Sequence, residues 1–357
     1  MSKQSYNVVV LPGDGIGPEV VEQATRVLEL ISSKSDSFSI NLKPFDFGGA
    51  AIDSTGKPLP DDTLEACKTA DAILMGKCPS SACLFVSTAM LTVSLLASLC
   101  QHQAPSVVPS GASARCAPSR VFWRCARSST CTPTSVRASS PPSRCSRTRR
   151  SNPRWPRVCR SSWCASSSRV STLATARRPT WTTLRPTVRR TTPWYTQFAS
   201  QGITVDHQLV DSASMVMVSN PRKLNGIVLT ENMFGDILSD ESSVIPGALG
   251  LLPSASLSGL PDGKSRCNGL YEPIHGSAPD IAGRGIANPV GTILSAAMLL
   301  RYSLHQPELA DKVEAAVRKV LDAKDIGGHE LRTADLGGKH GSKDVGDAVI
   351  AALEALL

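Results

Sequence analysis

Hydrophobic and polar positions follow two alternating periods along the first 76 residues. The apolar run NVVVLPG (7–13) ends in a turn and predicts a buried strand. Pro18 stands at a first helical position before EVVEQATRVLELI, whose spacing predicts an amphipathic helix. SFSINLKPFDF predicts a second strand, PLPDDTLEACKTA a helix that opens with two acidic residues, and DAILMG a third strand. This order of elements indicates a parallel α/β sheet.

Residues 203–357 return to the same pattern. ITVDHQLVD and GIVLT predict strands, and PELADKVEAAVRKVLDAK and KDVGDAVIAALEALL predict amphipathic helices. The segment 77–194 interrupts the pattern, because it shows no sustained helical or strand period after about residue 100. It is dominated by Ser, Arg, Pro, Thr, Cys and Ala, a composition that predicts disorder.

Charge and cysteine are concentrated in the same segment. Residues 77–194 hold 18 Arg, one Lys and no Asp or Glu, a charge of +19; since the chain carries +8, the remainder carries −11. Nine of the 11 cysteines also lie there. The N-terminus shows no secretory signal, and the apolar run 84–100 is short and interrupted for a membrane span. We therefore expect a cytoplasmic protein without a membrane segment and without a disulfide framework.

LPGDGIGPEV (11–20) is a glycine-rich turn between the first strand and the first helix. Gly13, Gly15 and Gly17 are spaced G-x-G-x-G, which differs from the dinucleotide fingerprint G-x-G-x-x-G. A tight structural turn and a ligand-binding loop are equally compatible with this fragment.

TENMFGDILSDE (230–241) carries two aspartates four residues apart, Asp236 and Asp240. On a helix they share one face, where their like charges repel, and a divalent cation would remove that cost. Asp211 is a candidate third carboxylate. From spacing alone, a solvated acidic helix face is the stronger interpretation.

GLYEPIHGSAPDIAGRGIANP (269–289) surrounds His275 and Asp280 with small residues and has no helical period. Such a loop can wrap a ligand with backbone groups, and a carboxylate can accept two hydrogen bonds from ribose hydroxyls. The alternative is an ordinary surface loop with a structural histidine.

Taken together, these segments resemble the isocitrate/isopropylmalate dehydrogenase family, in its fungal-like 3-isopropylmalate dehydrogenase form. The matching text includes GDGIGPEV, DSTGKPLPDDTLEACKTADAILMG, VDSASMVMVSNPRKLNGIVLTENMFGDILSDE and GLYEPIHGSAPDIAGRGIANPVGTILSAAMLLRYSL. The resemblance covers residues 5–76 and about 195–357 in the expected order.

The resemblance implies an α/β, two-domain fold with a large, mostly parallel sheet. The first domain would combine 1–105 with 252–357, and the second, dimer-forming domain would be 106–251. It also implies a homodimeric enzyme that oxidises and decarboxylates 3-isopropylmalate with NAD and Mg²⁺ or Mn²⁺, and that binds neither membrane nor nucleic acid.

The resemblance also assigns roles to residues. Asp236 and Asp240 match the metal ligands, and Asp211 matches the ligand supplied across the dimer interface. Asp280 at the ribose favours NAD over NADP. The implied cofactor-binding residues are His275, Gly276, Ser277, Ala278, Pro279, Asp280, Ile281 and Asn288.

Residues 77–194 depart from the family, since the segments that carry its catalytic Tyr, catalytic Lys and substrate-binding arginines are absent. Read in a shifted frame, the codons of 163–174 permit V-R-E…G-V-Y-F-G, the family's missing Arg/Tyr text. A mistranslated central third is therefore the leading hypothesis, and we expect the chain as written to be inactive. The competing hypothesis is an arginine-rich protein that binds nucleic acid through phosphate contacts and tryptophan stacking.

Overall fold

The computed structural model describes residues 3–77, 162–166, 180–185, 204–259, 261 and 267–357. These residues belong to one of the two compact units of the chain, Met1–Cys100 with Val158–Leu357. The other unit, Gln101–Arg157, lies outside them. The boundaries expected at 105/106 and 251/252 remain a prediction.

The described strands are, in chain order, β1 (Gln4–Gly13), β2 (Phe38–Pro44), β3 (Ala72–Lys77), β4 (Ser162–Ser166), β5 (Thr180–Arg185), β6 (Thr204–Leu209), β7 (Ile227–Glu231), β8 (Pro253–Leu257) and β9 (Gly269–Pro273). The described α-helices are α1 (Gly17–Lys34), α2 (Gly49–Thr55), α3 (Asp61–Thr69), α4 (Val210–Ser219), α5 (Asn232–Glu241), α6 (Val290–Tyr302), α7 (Pro307–Leu321) and α8 (Ser342–Glu354). Short 3₁₀ turns join several of them.

One sheet has five strands in the order β2-β1-β3-β9-β8. All its pairs are parallel except β8 with β9, which is antiparallel. Alternate residues of β1 and β3 face opposite layers: Val8 and Leu74 pack with α1 and α6, whereas Val9 and Met75 pack with Phe47 and the α3 side. Covering both faces explains why these strands are continuous apolar runs. The predicted α/β class with mostly parallel strands is confirmed.

The second sheet has four parallel strands in the order β4-β7-β5-β6. Two of them, β4 and β5, lie inside the segment 77–194, where the sequence pattern predicted no strand, and the prediction is wrong at these two stretches. Both pair through their backbones with β7, and β5 also pairs with β6. Backbone pairing with established neighbours can place a strand where the local sequence lacks a period.

Helices α4 and α5 accompany the second sheet. Ala213 and Met217 of α4, Val228 of β7 and Leu238 of α5 form a small buried cluster, which fixes the face that α5 turns away from solvent. In the parts of the chain that the structure describes, no helix is long and apolar enough to cross a membrane.

Candidate active site

The glycine-rich turn lies where the carboxyl ends of β1 and β3 meet. Gly13 has φ +72°, and a Cβ there would lie 2.3 Å from the carbonyl oxygen of Lys77. Gly15 has φ +62°, and a Cβ there would lie 2.0 Å from the carbonyl oxygen of Ser277. Because these close approaches are to the chain's own backbone, the tight structural turn accounts for both glycines.

Asp14, within this turn, holds the first residues of α2. One oxygen of its carboxylate accepts the N–H of Gly49 at 2.7 Å, and the other accepts the N–H of Ala50 at 3.0 Å. The helix has Gly48 at its N-cap and so has no capping side chain of its own. Sequence reasoning missed this role, for which the only local signal is a helix that begins without a capping side chain.

The 274–289 loop is hydrogen-bonded to the start of α1 and to the start of α8. The Ile16 N–H donates to the Ser277 carbonyl at 2.9 Å, and the Ser342 N–H donates to the Gly285 carbonyl at 2.8 Å. The Glu19 carboxylate accepts the N–H of Gly283. These hydrogen bonds fix the backbone conformation of the loop, which argues against an ordinary surface loop.

Apolar contacts complete the attachment of this loop. Ile16 and Val20 at the start of α1 form a buried cluster with Ala287, and Ala278 and Ile281 pack against it. Two of the eight predicted cofactor residues thus serve the packing of the loop. Ala278 has φ +38°, an uncommon conformation for a residue with a side chain.

His275 and Asn288 are the two buried polar residues among the predicted cofactor contacts. The Nδ1 atom of His275 lies 2.9 Å from the Gly276 carbonyl oxygen, and its Nε2 is buried with no hydrogen-bond partner in the described structure. Burial lowers the pKa of His275. The Asn288 amide accepts the Val290 N–H at 3.1 Å and donates to Asp335 at 3.0 Å, so it caps α6.

The remaining predicted residues of the loop line its outer side. Gly276, Pro279 and Asp280 are exposed, and Ser277 is half-buried. The Asp280 carboxylate is therefore accessible to a ligand, as a ribose contact requires.

Asp236 and Asp240 lie on the solvent side of α5, opposite the buried Leu238. Partial burial, followed by the charge of Asp240 and that of Glu272, raises the pKa of Asp236, and Lys77 opposes this rise. Burial likewise raises the pKa of Asp240, again opposed by Lys77. This acid pair, as we call Asp236 and Asp240, is thus a site where negative charge is crowded and where a bound cation would relieve the repulsion.

Asp211 lies in the first turn of α4, where its carboxylate accepts the Ser212 N–H at 2.7 Å. Within the described ranges no three His, Cys, Asp or Glu side chains are grouped closely enough to hold a metal ion, so one chain does not bring Asp211 to the acid pair. Two carboxylates with water suffice for Mg²⁺, which commonly keeps several water ligands, and the acid pair fits a hard divalent cation on that ground.

Lys77 and Glu272 form an ion pair that sequence reasoning missed. The Lys77 ammonium donates to the Glu272 carboxylate at 2.5 Å, and each side chain is 16% exposed. Lys77 is the last residue of β3, and Glu272 lies on the neighbouring β9. The one available signal was that Lys77 is the only lysine in a segment of 18 arginines.

The arginine-rich segment proposed as an alternative nucleic-acid-binding region falls outside the described residues, apart from Lys77, β4 and β5. Residues 163–174, whose codons in a shifted frame match the family's Arg/Tyr segment, also lie outside the described residues, except for those in β4.

Comparison with solved structures supports the fold. A β-decarboxylating dehydrogenase from Thermococcus kodakarensis superposes with a TM-score of 0.60 at 22% identity, covering 98% of this chain and 97% of that one. An isocitrate dehydrogenase from Methylococcus capsulatus gives a TM-score of 0.58 at 20% identity, covering 98% and 99%. At these identities the likeness concerns the fold alone.

Curated relatives match along nearly their whole length. The chain is 42% identical over 379 residues to 3-isopropylmalate dehydrogenase A of Aspergillus niger, covering 99% of both chains. It is 40% identical to the 3-isopropylmalate dehydrogenase of Neurospora crassa, with 99% of both chains covered. The enzyme of the same name from Schizosaccharomyces pombe is 39% identical, with 98% of this chain and 99% of that one covered.

The family model described as isocitrate/isopropylmalate dehydrogenase matches residues 7–93 and 166–349. These two ranges contain the glycine-rich turn, the acid pair and the 274–289 loop, and they extend into both ends of the segment 77–194. Since the model covers more than half of the sequence and the relatives cover nearly all of it, this chain belongs to the isocitrate/isopropylmalate dehydrogenase family.

Proposed function

We propose that the chain is an NAD-dependent 3-isopropylmalate dehydrogenase of leucine biosynthesis, which oxidises and decarboxylates (2R,3S)-3-isopropylmalate to 4-methyl-2-oxopentanoate. The observation that carries this proposal is the alignment of the chain, over 99% of its length, with enzymes of that name, together with the acid pair on one face of α5.

The acid pair would hold Mg²⁺ or Mn²⁺, together with the partner subunit's Asp211 in a cytoplasmic homodimer. Asp236 and Asp240 would hold this ion with carboxylates from one helix face. The ion would supply Lewis-acid stabilisation for the oxygen on C2 of the substrate and for the negative charge that develops as carbon dioxide leaves.

The 274–289 loop would bind the adenosine half of NAD. Its exposed Asp280 carboxylate can accept hydrogen bonds from both ribose hydroxyls and would repel a 2′-phosphate, which favours NAD over NADP. The attachments through Ile16, Glu19 and Ser342 hold the loop backbone in one arrangement before the cofactor arrives, which lowers the entropy cost of binding.

Proton transfer is the part of the reaction for which the sequence offers no matching residue. The catalytic Tyr, the catalytic Lys and the substrate arginines of the family have no counterpart in 77–194 as translated. We therefore propose that this chain binds cation and cofactor but turns over weakly or not at all.

The test separates binding from turnover with the full-length chain. Mn²⁺ binding and NADH binding are measured by electron paramagnetic resonance and by fluorescence, and turnover by NADH formation from isopropylmalate. Asp236→Asn should abolish Mn²⁺ binding, whereas Asp325→Asn, at an exposed aspartate in the 3₁₀ turn after α7, should leave it unchanged. Absence of both Mn²⁺ and NADH binding in the unmodified chain would overturn the proposed function.

Turnover tests the second half of the proposal. Measurable NAD reduction by the purified chain would overturn the proposed loss of activity while leaving the function in place. Sequencing the transcript across codons 70–200 checks the frame directly. A transcript that encodes the family's Tyr and Lys segments would explain the loss as mistranslation.

A further inference from the structure

Asp335 holds the end of the 274–289 loop from a turn that lies 47 residues further along the chain than Asn288. The Oδ2 atom of its carboxylate accepts a hydrogen bond from the Asn288 amide at 3.0 Å. The Oδ1 atom accepts the hydroxyl of Thr333, a residue that is 1% exposed. Asp335 itself is exposed, so these two hydrogen bonds, and not burial, fix the position of its carboxylate.

The contact with Asp335 completes the hydrogen bonding of a buried amide. The Oδ1 atom of Asn288 accepts the Val290 N–H at 3.1 Å, so its NH₂ group is turned toward Asp335. Asn288 is 6% exposed, and without Asp335 this NH₂ group would lose its acceptor in a buried place. The side chain of Asn288 therefore fixes the backbone at the end of the loop, next to the Ala287 that packs against α1.

Gly250 shows how closely this junction is packed. It lies in the 3₁₀ turn Leu249–Leu251, and a Cβ there would lie 2.6 Å from the Cβ of Asn288 and 2.9 Å from the Oδ2 of Asp335. A residue without a side chain is what lets the three segments meet. The contact between Asn288 and Asp335 is therefore part of a close-packed junction and not a chance surface contact.

The turn that carries Asp335 has a close copy ten residues earlier. The 3₁₀ turns Lys324–Ile326 and Ala334–Leu336 are each followed by two glycines, and the first glycine of each pair is left-handed, with φ 87° and 76°. Asp325 occupies in the first turn the position that Asp335 occupies in the second, and it is also exposed. Asp325 is therefore a matched control for Asp335.

We propose that Asp335 is a positioning residue for the cofactor, which holds Asn288 and thereby sets the affinity of the 274–289 loop for the adenosine half of NAD. This inference rests on the proposed function, since it concerns the same loop. Asp335 acts on the cofactor through Asn288 and not by direct contact. It keeps the end of the loop in one conformation, which lowers the entropy cost of binding.

The experiment measures the dissociation constant of NADH by fluorescence and that of AMP by displacement of NADH, with the full-length chain. AMP reports on the adenosine half alone. Asp335→Ala should weaken the binding of both ligands about fivefold, the scale expected when a buried amide loses one hydrogen-bond partner. Asp325→Ala should leave both dissociation constants unchanged.

Two conservative variants separate hydrogen bonding from charge and remain informative if Asp335→Ala does not fold. Asp335→Asn should restore most of the affinity, because its amide oxygen can accept the Asn288 N–H and its NH₂ group can donate to the Thr333 hydroxyl. Asp335→Glu keeps the charge but displaces the carboxylate by one methylene, so it should bind NADH more weakly than Asp335→Asn. The reverse order would overturn the positioning role.

A double variant tests whether Asp335 acts through Asn288. Asn288→Ala combined with Asp335→Ala should bind NADH no more weakly than Asn288→Ala alone, because the partner of Asp335 is then already gone. Losses that add in full would show that Asp335 acts independently of Asn288, and they would refute the inference.

Urea unfolding distinguishes positioning from a purely structural role. A lower urea midpoint for Asp335→Ala with unchanged NADH and AMP affinity would refute the inference and leave the proposed cofactor site in place. If the unmodified chain binds neither NADH nor AMP, the cofactor site itself is refuted, and the inference falls with it.

Discussion

Replacing Asp14 by Ala should destabilise the first sheet measurably, because Asp14 holds the start of a helix that is remote in sequence. Its two carboxylate oxygens accept the N–H groups of Gly49 and Ala50 at 2.7 and 3.0 Å. α2 has only seven residues and no capping side chain of its own. Without Asp14, two amides at the positive end of this short helix lose their protein acceptor.

The expected cost is about 2 kcal/mol. A hydrogen bond to a charged group contributes about 1.5–3 kcal/mol net, and loss of an N-cap side chain costs about 0.5–2 kcal/mol. The two bonds share one carboxylate that is partly open to water, so their contributions do not add in full. Asp14→Asn keeps one acceptor oxygen without the charge and should cost roughly half as much, about 1 kcal/mol.

The assay is urea unfolding followed by far-ultraviolet circular dichroism. Tryptophan fluorescence is unsuitable, because all five tryptophans lie outside the residues of the first sheet and its helices, at Trp123, Trp155, Trp163, Trp181 and Trp194. With a slope of about 2 kcal/mol per molar urea, Asp14→Ala should lower the midpoint by about 1 M.

Asp53 provides the matched control for this prediction. It lies on the same helix and is exposed, so Asp53→Ala should change the free energy of unfolding by less than about 0.5 kcal/mol. Equal midpoints for Asp14→Ala and Asp53→Ala would refute the reasoning, since the two capping bonds would then contribute no stability.

Three further predictions concern buried positions. Gly76→Ala should cost more than about 3 kcal/mol, because a Cβ there would lie 2.0 Å from the Pro12 carbonyl oxygen, whereas Gly259→Ala meets nothing within 4 Å and should be neutral; equal urea midpoints would contradict this. Burial raises the pKa of Cys67 to about 12, so iodoacetamide at mildly alkaline pH should label it only after unfolding, as peptide mass spectrometry can check; rapid native labelling would contradict it. Burial lowers the pKa of His275, so the unfolded chain takes up its proton first and the free energy of unfolding should fall as pH drops below about 6.5. His275→Gln should reduce that slope, and an unchanged slope would count against it.

Much of the first sheet follows from local sequence. The run from Val8 to Leu11 reads as a strand because the sheet is covered on both faces, and the structure buries all four residues. The helix predicted after Pro18 is present as α1, with its apolar positions buried. These elements could be predicted because their hydrophobic pattern depends on one physical factor, the burial of side chains against the adjacent layer of the fold.

The missed features all depend on residues distant in sequence. Asp14 finds its partners 35 and 36 residues away, and Lys77 finds Glu272 at a separation of 195. The strands β4 and β5 exist through pairing with β7, which no local period announces. Periodicity reports which face of an element is buried, whereas these features depend on which element is adjacent.

The proposed metal site at the acid pair and the proposed cofactor site at the 274–289 loop are built from different parts of the chain. A disrupted segment 77–194 should therefore affect them unequally. Among the described residues, the buried core of the first sheet comes from 6–75 and 270–353, and the attachments of the 274–289 loop come from the same ranges. The acid pair instead lies on α5, which packs with β7 and β4 in a sheet that takes two of its four strands from the segment 77–194. A change of sequence in that segment therefore affects the metal side of the site first, because the described strands of the first sheet take only Lys77, the last residue of β3, from it. Further disruption of that segment should therefore weaken metal binding more than cofactor binding.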